Sequence, residues 1–241
     1  MNHAQDARAT FKLHQYFAER ARDVTPSSAR DAACVLYAPV SSDPEAANRC
    51  ASVLSDAERS RSKRFLTKEL KTHFEQRRAF RRYCGALALG STSPLSQIIF
   101  AETENGRPYL PVRPDLWFSF SSCRSGFMGA WSLTHGLGVD LEDRTAERDV
   151  ADLAQTYFTA SEARIVRERG ARTFLQLWSL KEAALKSIGE GLPFGMDAFE
   201  FKLEEGPRLV DVPGAQGGPD RFRAHLFDRA DICAALILRI P

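Results

Sequence analysis

Gly138-Val139-Asp140-Leu141-Glu142 and, further on, Trp178-Ser179-Leu180-Lys181-Glu182-Ala183-Ala184-Leu185-Lys186 are the stretches that decide the fold and the chemistry. The first alternates apolar and acidic residues. On a strand, residues two apart share a face, so Asp140 and Glu142 point one way while Val139 and Leu141 face a core. Two carboxylates side by side repel unless a cation lies between them, and such oxygen ligands suit Mg²⁺. Taken alone, D-x-E also fits an ordinary strand end with solvated acids. In the second stretch Trp178, Glu182 and Lys186 lie four apart, along one side of a helix. Glu182 can add a third carboxylate to a metal, and Lys186, one turn on, can reach a phosphate held by it. The plain alternative is a surface Glu–Lys pair of about 0.3–0.5 kcal/mol. Trp178 and its apolar neighbours point to a partly buried face instead.

Outward from these stretches, strands and helices occur in both halves of the 241 residues. Residues 1–30 are polar and read as an extension, with a short helix around Phe11 to Ala21 and a break at Thr25-Pro26-Ser27-Ser28. Cys34 to Val40 reads as a strand ended by proline. Ser55-Asp56-Ala57-Glu58 offers a capping box for a helical stretch that extends over Arg49 to Arg82, with Phe65, Leu70, Phe74, Phe80, Tyr83 and Leu87 as its apolar stripe. Ile98 to Phe100, Trp117 to Ser121, Phe127 to Leu133 and Leu137 to Leu141 read as strands, and Asn105 to Pro108 as a turn. Helices are expected over Tyr157 to Arg169 and Ala171 to Ile188. Phe199 to Leu203 alternates, Pro207 to Pro219 reads as a loop, and Phe222 to Phe227 and Ile232 to Ile240 as strands. An apolar strand followed by a helical region in each half is compatible with two similar α+β halves. It is equally compatible with one irregular α+β domain.

Composition narrows the classes. With 44% hydrophobic and 27% charged residues, the chain has apolar surface enough for a core. No apolar run approaches the roughly 20 residues of a membrane helix, and the first residues lack both a charged and an apolar signal region, so no secretory signal or membrane partner is expected. Lys+Arg 33 against Asp+Glu 31 gives a net charge of +2. The stretch 49–82 nevertheless holds eleven bases against four acids, which makes a locally basic face. Those bases interleave with acids and no nucleic-acid motif accompanies them, so a solvated helix face is favoured over a nucleic-acid surface. Five scattered cysteines, none in C-x-x-C, read as free thiols of a reducing compartment.

Two softer candidates remain. Gly106-Arg107-Pro108 puts a guanidinium on a turn, and Ser121-Ser122-Cys123-Arg124-Ser125-Gly126 is a hydroxyl-rich bend whose amides could cradle a phosphate. The common nucleotide, esterase and zinc-protease signatures are missing.

In order and spacing the chain resembles the Sfp-type 4′-phosphopantetheinyl transferases. The resemblance rests on Arg64-Phe65, Gly106-Arg107-Pro108, Phe118-Ser119-Phe120-Ser121, Gly138 to Glu142, Phe158-Thr159-Ala160-Ser161-Glu162, and Trp178 to Lys186 followed by Gly189-Glu190-Gly191-Leu192. It implies an α+β pseudo-dimer of two similar halves, 31–134 and 135–241 after the extension 1–30, with coenzyme A and a metal in the cleft between them. It implies transfer of 4′-phosphopantetheine from coenzyme A to a serine of an apo acyl or peptidyl carrier protein by a cytoplasmic monomer. Asp140, Glu142 and Glu182 would hold Mg²⁺ or Mn²⁺. Glu182 would also take, or orient the base that takes, the serine proton. Lys186 would neutralise diphosphate charge, Arg107 would replace the family's usual Lys near the nucleotide, and Arg61, His73 and Ser121 would contact the coenzyme A phosphates. In one departure, Ser122 stands where the family has a histidine for the 3′-phosphate, which implies weak discrimination between coenzyme A and its 3′-dephospho form unless Arg124 compensates. This departure also raises an alternative, a non-catalytic descendant that binds coenzyme A or a carrier protein. The retained carboxylates favour activity.

Overall fold

The computed structural model describes residues 13–29, 32–144, 150–189 and 195–240. Helix α1 runs through residues 13–20 and strand β1 is Arg22–Asp23. There follow β2 (Cys34–Pro39), α2 (Pro44–Ser52), α3 (Asp56–Ser62), α4 (Lys68–Ala88), β3 (Ala101–Glu102), β4 (Pro108–Tyr109), β5 (Trp117–Ser122) and β6 (Gly126–Ser132). The second half holds β7 (Gly136–Asp143), α5 (Val150–Tyr157), α6 (Ala160–Arg169), α7 (Ala171–Ile188), β8 (Glu200–Lys202), β9 (Arg208–Asp211), β10 (Phe222–Asp228) and β11 (Ile232–Arg239).

The two halves repeat one topology. Each has a strand, three helices of which the last is longest, a two-stranded ribbon (β3–β4, β8–β9) and a closing hairpin (β5–β6, β10–β11). In each, the opening strand pairs antiparallel with the last strand, which pairs with the one before it, giving the orders β1-β2-β6-β5 and β10-β11-β7. The fold is therefore α+β, built as two similar halves.

Period-two alternation sorts the side chains into layers. Leu36, Ala38, Phe118 and Phe127 face α4 and join Phe80 and Tyr83 in one core. Val35, Met128 and Ala130 meet Leu137, Val139, Leu141, Ala234 and Leu236 between the sheets. Cys233, Ala235 and Ile237 face Phe174, Leu177 and Leu180 of α7. The facing edges are tied by Trp117 Nε1, which donates to the Leu137 carbonyl at 2.8 Å, and by the Val139 amide, which donates to Ser119 Oγ at 3.0 Å.

Several expectations shift. The helical stretch of residues 49–82 is divided into α2, α3 and α4; the Ser55–Glu58 capping box opens α3 and Thr67 caps α4. Leu70 and Leu87 of the expected stripe are 54% and 44% exposed, because the side of α4 that meets a core is that of Ala79, Phe80 and Tyr83. Ile98 to Phe100 is not a strand; Ile98 buries in the first-half core, and pairing starts at Ala101. The helix expected from Tyr157 begins at Ala160, where Thr159 and Glu162 form a second capping box. The expected loop at Pro207 to Pro219 contains β9, which pairs with β8. The polar first segment contributes Leu13, Tyr16 and Phe17 to the first-half core. Phe11, and the Glu190-Gly191-Leu192 part of the motif, lie outside the described residues.

Candidate active site

β7 carries Gly138, Asp140 and Glu142 on the face turned to α7, because the alternate residues Leu137, Val139 and Leu141 are committed to the inter-sheet core. Helix α7 is set off by Gly170 before it and by Gly189, left-handed at φ 72°, after it. Its inward face holds Phe174, Leu177, Lys181 and Ala184, while Trp178, Glu182 and Lys186 follow the neighbouring ridge.

Asp140 is 4% exposed. Its Oδ1 accepts from Lys186 Nζ at 2.8 Å and from Ser121 Oγ at 3.0 Å. Lys186 Nζ also donates to the Val139 carbonyl at 3.2 Å and to Ser121 Oγ at 3.4 Å. Asp140 Oδ2 is buried with no hydrogen-bond partner. A carboxylate oxygen so placed lacks the partner that burial normally demands. Asp140, Glu142 and Glu182 line one cavity of about 520 Å³, with Ser121, Ser122 and Trp178 on its walls. The Glu182 carboxyl is pushed above its ordinary pKa by burial and by the charges of Asp140 and Glu142, against the pull of Lys186.

Two further cavities adjoin. One, of about 230 Å³, takes in Arg107, Glu182 and Lys186, with Arg107 over the Trp117 ring at 4.2 Å. The other, of about 270 Å³, is bounded by Arg61, Arg77, Arg78 and Arg81 together with Ser121 and Ser122. Burial and the charges of neighbouring arginines lower the pKa of Arg77, and that of Arg81 to about 10. Four guanidiniums face this cavity; Glu102, also on its wall, pairs with Arg81 at 3.7 Å and Glu58 with Arg78 at 3.5 Å, and the remaining surplus of positive charge suits an anion.

The bend between β5 and β6 is held by the end of β7. Asp143 accepts from the Arg124 amide at 2.7 Å, the Ser125 amide at 3.2 Å and Ser125 Oγ at 2.5 Å. The structure thus brings Asp140, Glu142, Glu182, Lys186, Ser121, Ser122 and Arg107 to connected cavities, and Arg61 to the arginine-lined one. His73 is placed differently. Its Nε2 bonds the Cys123 carbonyl at 2.8 Å and its ring packs on Phe127. Burial lowers its pKa, assisted by the Arg77 charge.

Sequence reasoning gave no site role to Arg77, Arg78 or Arg81, nor to Asp143. It also missed the ion pair of Lys181 with Glu162, 2.6 Å apart and wholly buried. Glu162 there also accepts from the Phe201 amide at 2.9 Å, and Lys181 donates to the Met196 carbonyl at 2.9 Å and to that of Phe199. A signal for the pair was available, since Lys181 falls seven residues after Phe174, on the apolar face, where a charge implies a buried partner.

Residues 136–235 match the family model described as the 4′-phosphopantetheinyl transferase superfamily. Over 125 residues the chain is 33% identical to the 4′-phosphopantetheinyl transferase psf-1 of Bacillus pumilus, covering 50% of this chain and 52% of that one. It is 27% identical over 148 residues to the 4′-phosphopantetheinyl transferase Sfp of Bacillus subtilis (strain 168), covering 58% and 64%. It is 30% identical over 149 residues to the 4′-phosphopantetheinyl transferase HetI of a Nostoc strain, covering 59% and 62%. Over part of its length the chain is similar to these 4′-phosphopantetheinyl transferases, and the matches span about half to two thirds of those relatives' own lengths.

Proposed function

We propose that the protein transfers 4′-phosphopantetheine from coenzyme A to a serine of an apo acyl or peptidyl carrier protein, with a divalent metal, Mg²⁺ or Mn²⁺, held by Asp140, Glu142 and Glu182. The single observation that carries the reading is the shared cavity of those three carboxylates, with the buried Asp140 Oδ2 left unpartnered. Among the described residues no three acids, histidines or cysteines are so placed that together they could hold a metal ion. Hard oxygen donors around an open cavity nevertheless fit a cation that keeps waters and takes substrate phosphates as further ligands. The metal, when bound, would supply charge stabilisation to the diphosphate.

The chain's own groups divide the remaining work. Glu182, its carboxyl raised in pKa, accepts or directs the proton of the carrier serine. The serine oxygen attacks the phosphorus that bears pantetheine, and the phosphoanhydride bond breaks to release 3′,5′-bisphosphoadenosine. Lys186 and Arg107, on the cavity next to the carboxylates, offset charge on the departing phosphate. The arginine-lined cavity at Ser122 supports binding of the 3′-phosphate. Ser122 alone argued for weak discrimination against 3′-dephospho-coenzyme A; four guanidiniums beside it argue for a retained preference. Arg124 lines the carboxylate cavity instead.

The same reading takes 31–134 and 135–241 as the two halves of a cytoplasmic monomer. The free state of all five cysteines accords with a reducing compartment. Among the described residues no helix is long and apolar enough to cross a membrane.

The test is mass spectrometry of an apo carrier protein incubated with the protein, coenzyme A and Mg²⁺. A phosphopantetheine-sized gain that EDTA abolishes, and that Glu182→Gln loses while keeping its fold by circular dichroism, is expected. No gain with tight coenzyme A binding selects the non-catalytic alternative, and full activity of Glu182→Gln removes the role given to that residue.

A further inference from the structure

Lys186 holds Asp140 at 2.8 Å, in a site where the charges of Asp140 and Glu142 bear on Glu182. Its ammonium also takes the Val139 carbonyl and the Ser121 hydroxyl, so the position is fixed by three partners and not by a loose surface pairing. The Lys186 side chain is 32% exposed and lines the adjoining cavity with Arg107, so one flexible stem reaches both the acid and the space beside it.

We infer that Lys186 is a built-in counter-cation that occupies Asp140 in the resting protein and yields it only when a diphosphate is present to take the ammonium. This inference rests on the metal reading above and concerns how the site is loaded. An unpaired carboxylate would be costly at the position of Asp140, which is 4% exposed. The lysine supplies that pairing without metal. A metal arriving alone at Asp140 Oδ2 meets the ammonium held on Oδ1, and the two cations repel across one carboxylate. A metal arriving with a diphosphate offers the ammonium a new partner a short side-chain rotation away. Metal and diphosphate affinity are then positively coupled through one residue, and by linkage the coupling is reciprocal. Idle occupation of the site by free metal is correspondingly disfavoured.

The test measures Mn²⁺ binding by the loss of the free-ion electron paramagnetic resonance signal, on wild type and on Lys186→Met, each without and with coenzyme A. Lys186→Gln serves as a second variant. Without coenzyme A, Lys186→Met should bind Mn²⁺ about tenfold more tightly than wild type, as expected from removal of one neighbouring positive charge. The gain in Mn²⁺ affinity on adding coenzyme A should be smaller in the variant than in wild type. Mn²⁺ should also raise the melting temperature of the variant more than that of wild type, since the variant's Asp140 has lost its cation. If wild type binds Mn²⁺ with coenzyme A but neither variant binds it more tightly without, the inference is overturned and the metal reading stands. If no form binds Mn²⁺ even with coenzyme A, both are overturned.

Discussion

Gly138→Ala tests whether the distance between β7 and α7 sets the chemistry. A Cβ at position 138 would overlap the Ala183 carbonyl oxygen and would lie 2.6 Å from the Ser187 nitrogen and 2.9 Å from the Ala183 carbonyl carbon. All three are backbone atoms, so no rotamer change relieves the clash. Carbon contacts settle near 3.5–4.0 Å, so strand and helix must part by more than about 1 Å. Overpacking of this kind costs about 1–3 kcal/mol, or roughly 2–12 °C in Tm for a chain of this size. The same displacement separates Asp140 and Glu142 from Glu182 and Lys186, and a misplacement of about 1 Å can lower a rate about 10²-fold. The assay is carrier modification followed by mass spectrometry, at a temperature where circular dichroism shows both proteins folded. Gly214→Ala, where a Cβ meets nothing within 4 Å, is the control expected to change neither quantity. An unchanged Tm would refute the packing argument. A lowered Tm with wild-type kcat/KM would refute the claim that this contact positions the site.

Two further outcomes are expected. Burial would raise the Glu58 carboxyl, but the hydrogen bonds from Arg82 and the Ser55 amide, with the charges of Arg82 and Arg78, outweigh it and leave the pKa below the ordinary range. A carboxyl lowered on folding stabilises the native state above the unfolded pKa and loses that contribution as pH falls through its lowered value. Glu58→Gln should therefore destabilise by about 1–3 kcal/mol at pH 7, and by progressively less below about pH 4, in urea unfolding; an equal loss at both pH values would contradict it. Arg81→Ala, which removes one guanidinium beside Ser122 and its 3.7 Å pairing with Glu102, should raise the KM for coenzyme A roughly 10–100-fold and barely move that for 3′-dephospho-coenzyme A. Parallel changes for both substrates would place the 3′-phosphate elsewhere.

What was legible in the sequence follows the range of the forces involved. Helix α7 is marked along its own length by a 3.6-residue apolar period and by a glycine at each end, and the reading Ala171 to Ile188 agrees with the structure. β11 carries its own apolar run and β10 its own Phe222–Ala224–Leu226 alternation, so both were legible for the same reason. β9 was not, because its four residues Arg208-Leu209-Val210-Asp211 sit in a Gly/Pro-rich neighbourhood and form only against β8. The carboxylates were legible because strand and helix periodicity project Asp140, Glu142, Glu182 and Lys186 without knowledge of the rest. The arginine cavity was not, since α3 supplies Arg61 and α4 supplies Arg77, Arg78 and Arg81, and only tertiary packing brings them to Ser122 on β5.

The repeated topology raises the question of why the chemistry stands in only one half. In the first half β2 occupies the place that β7 holds in the second, each being the opening strand paired to the closing one. The face of β7 turned to its long helix carries Asp140 and Glu142. The face of β2 turned to α4 carries Leu36 and Ala38, 6% and 0% exposed and committed to the core. Placing acids there would bury unpaired charge beneath α4, at a cost of several kcal/mol each. The first half instead contributes through its edge: Ser119 takes the Val139 amide, Ser121 reaches Asp140, and the arginines of α3 and α4 stand behind Ser122. One copy of the motif keeps its core apolar and supplies cationic and hydroxyl groups across the junction. The other gives up apolar burial on one strand face to hold carboxylates. A site assembled in this way needs both halves, because Asp140 draws its partners from both sides of the junction, Ser121 from the first half and Lys186 from the second.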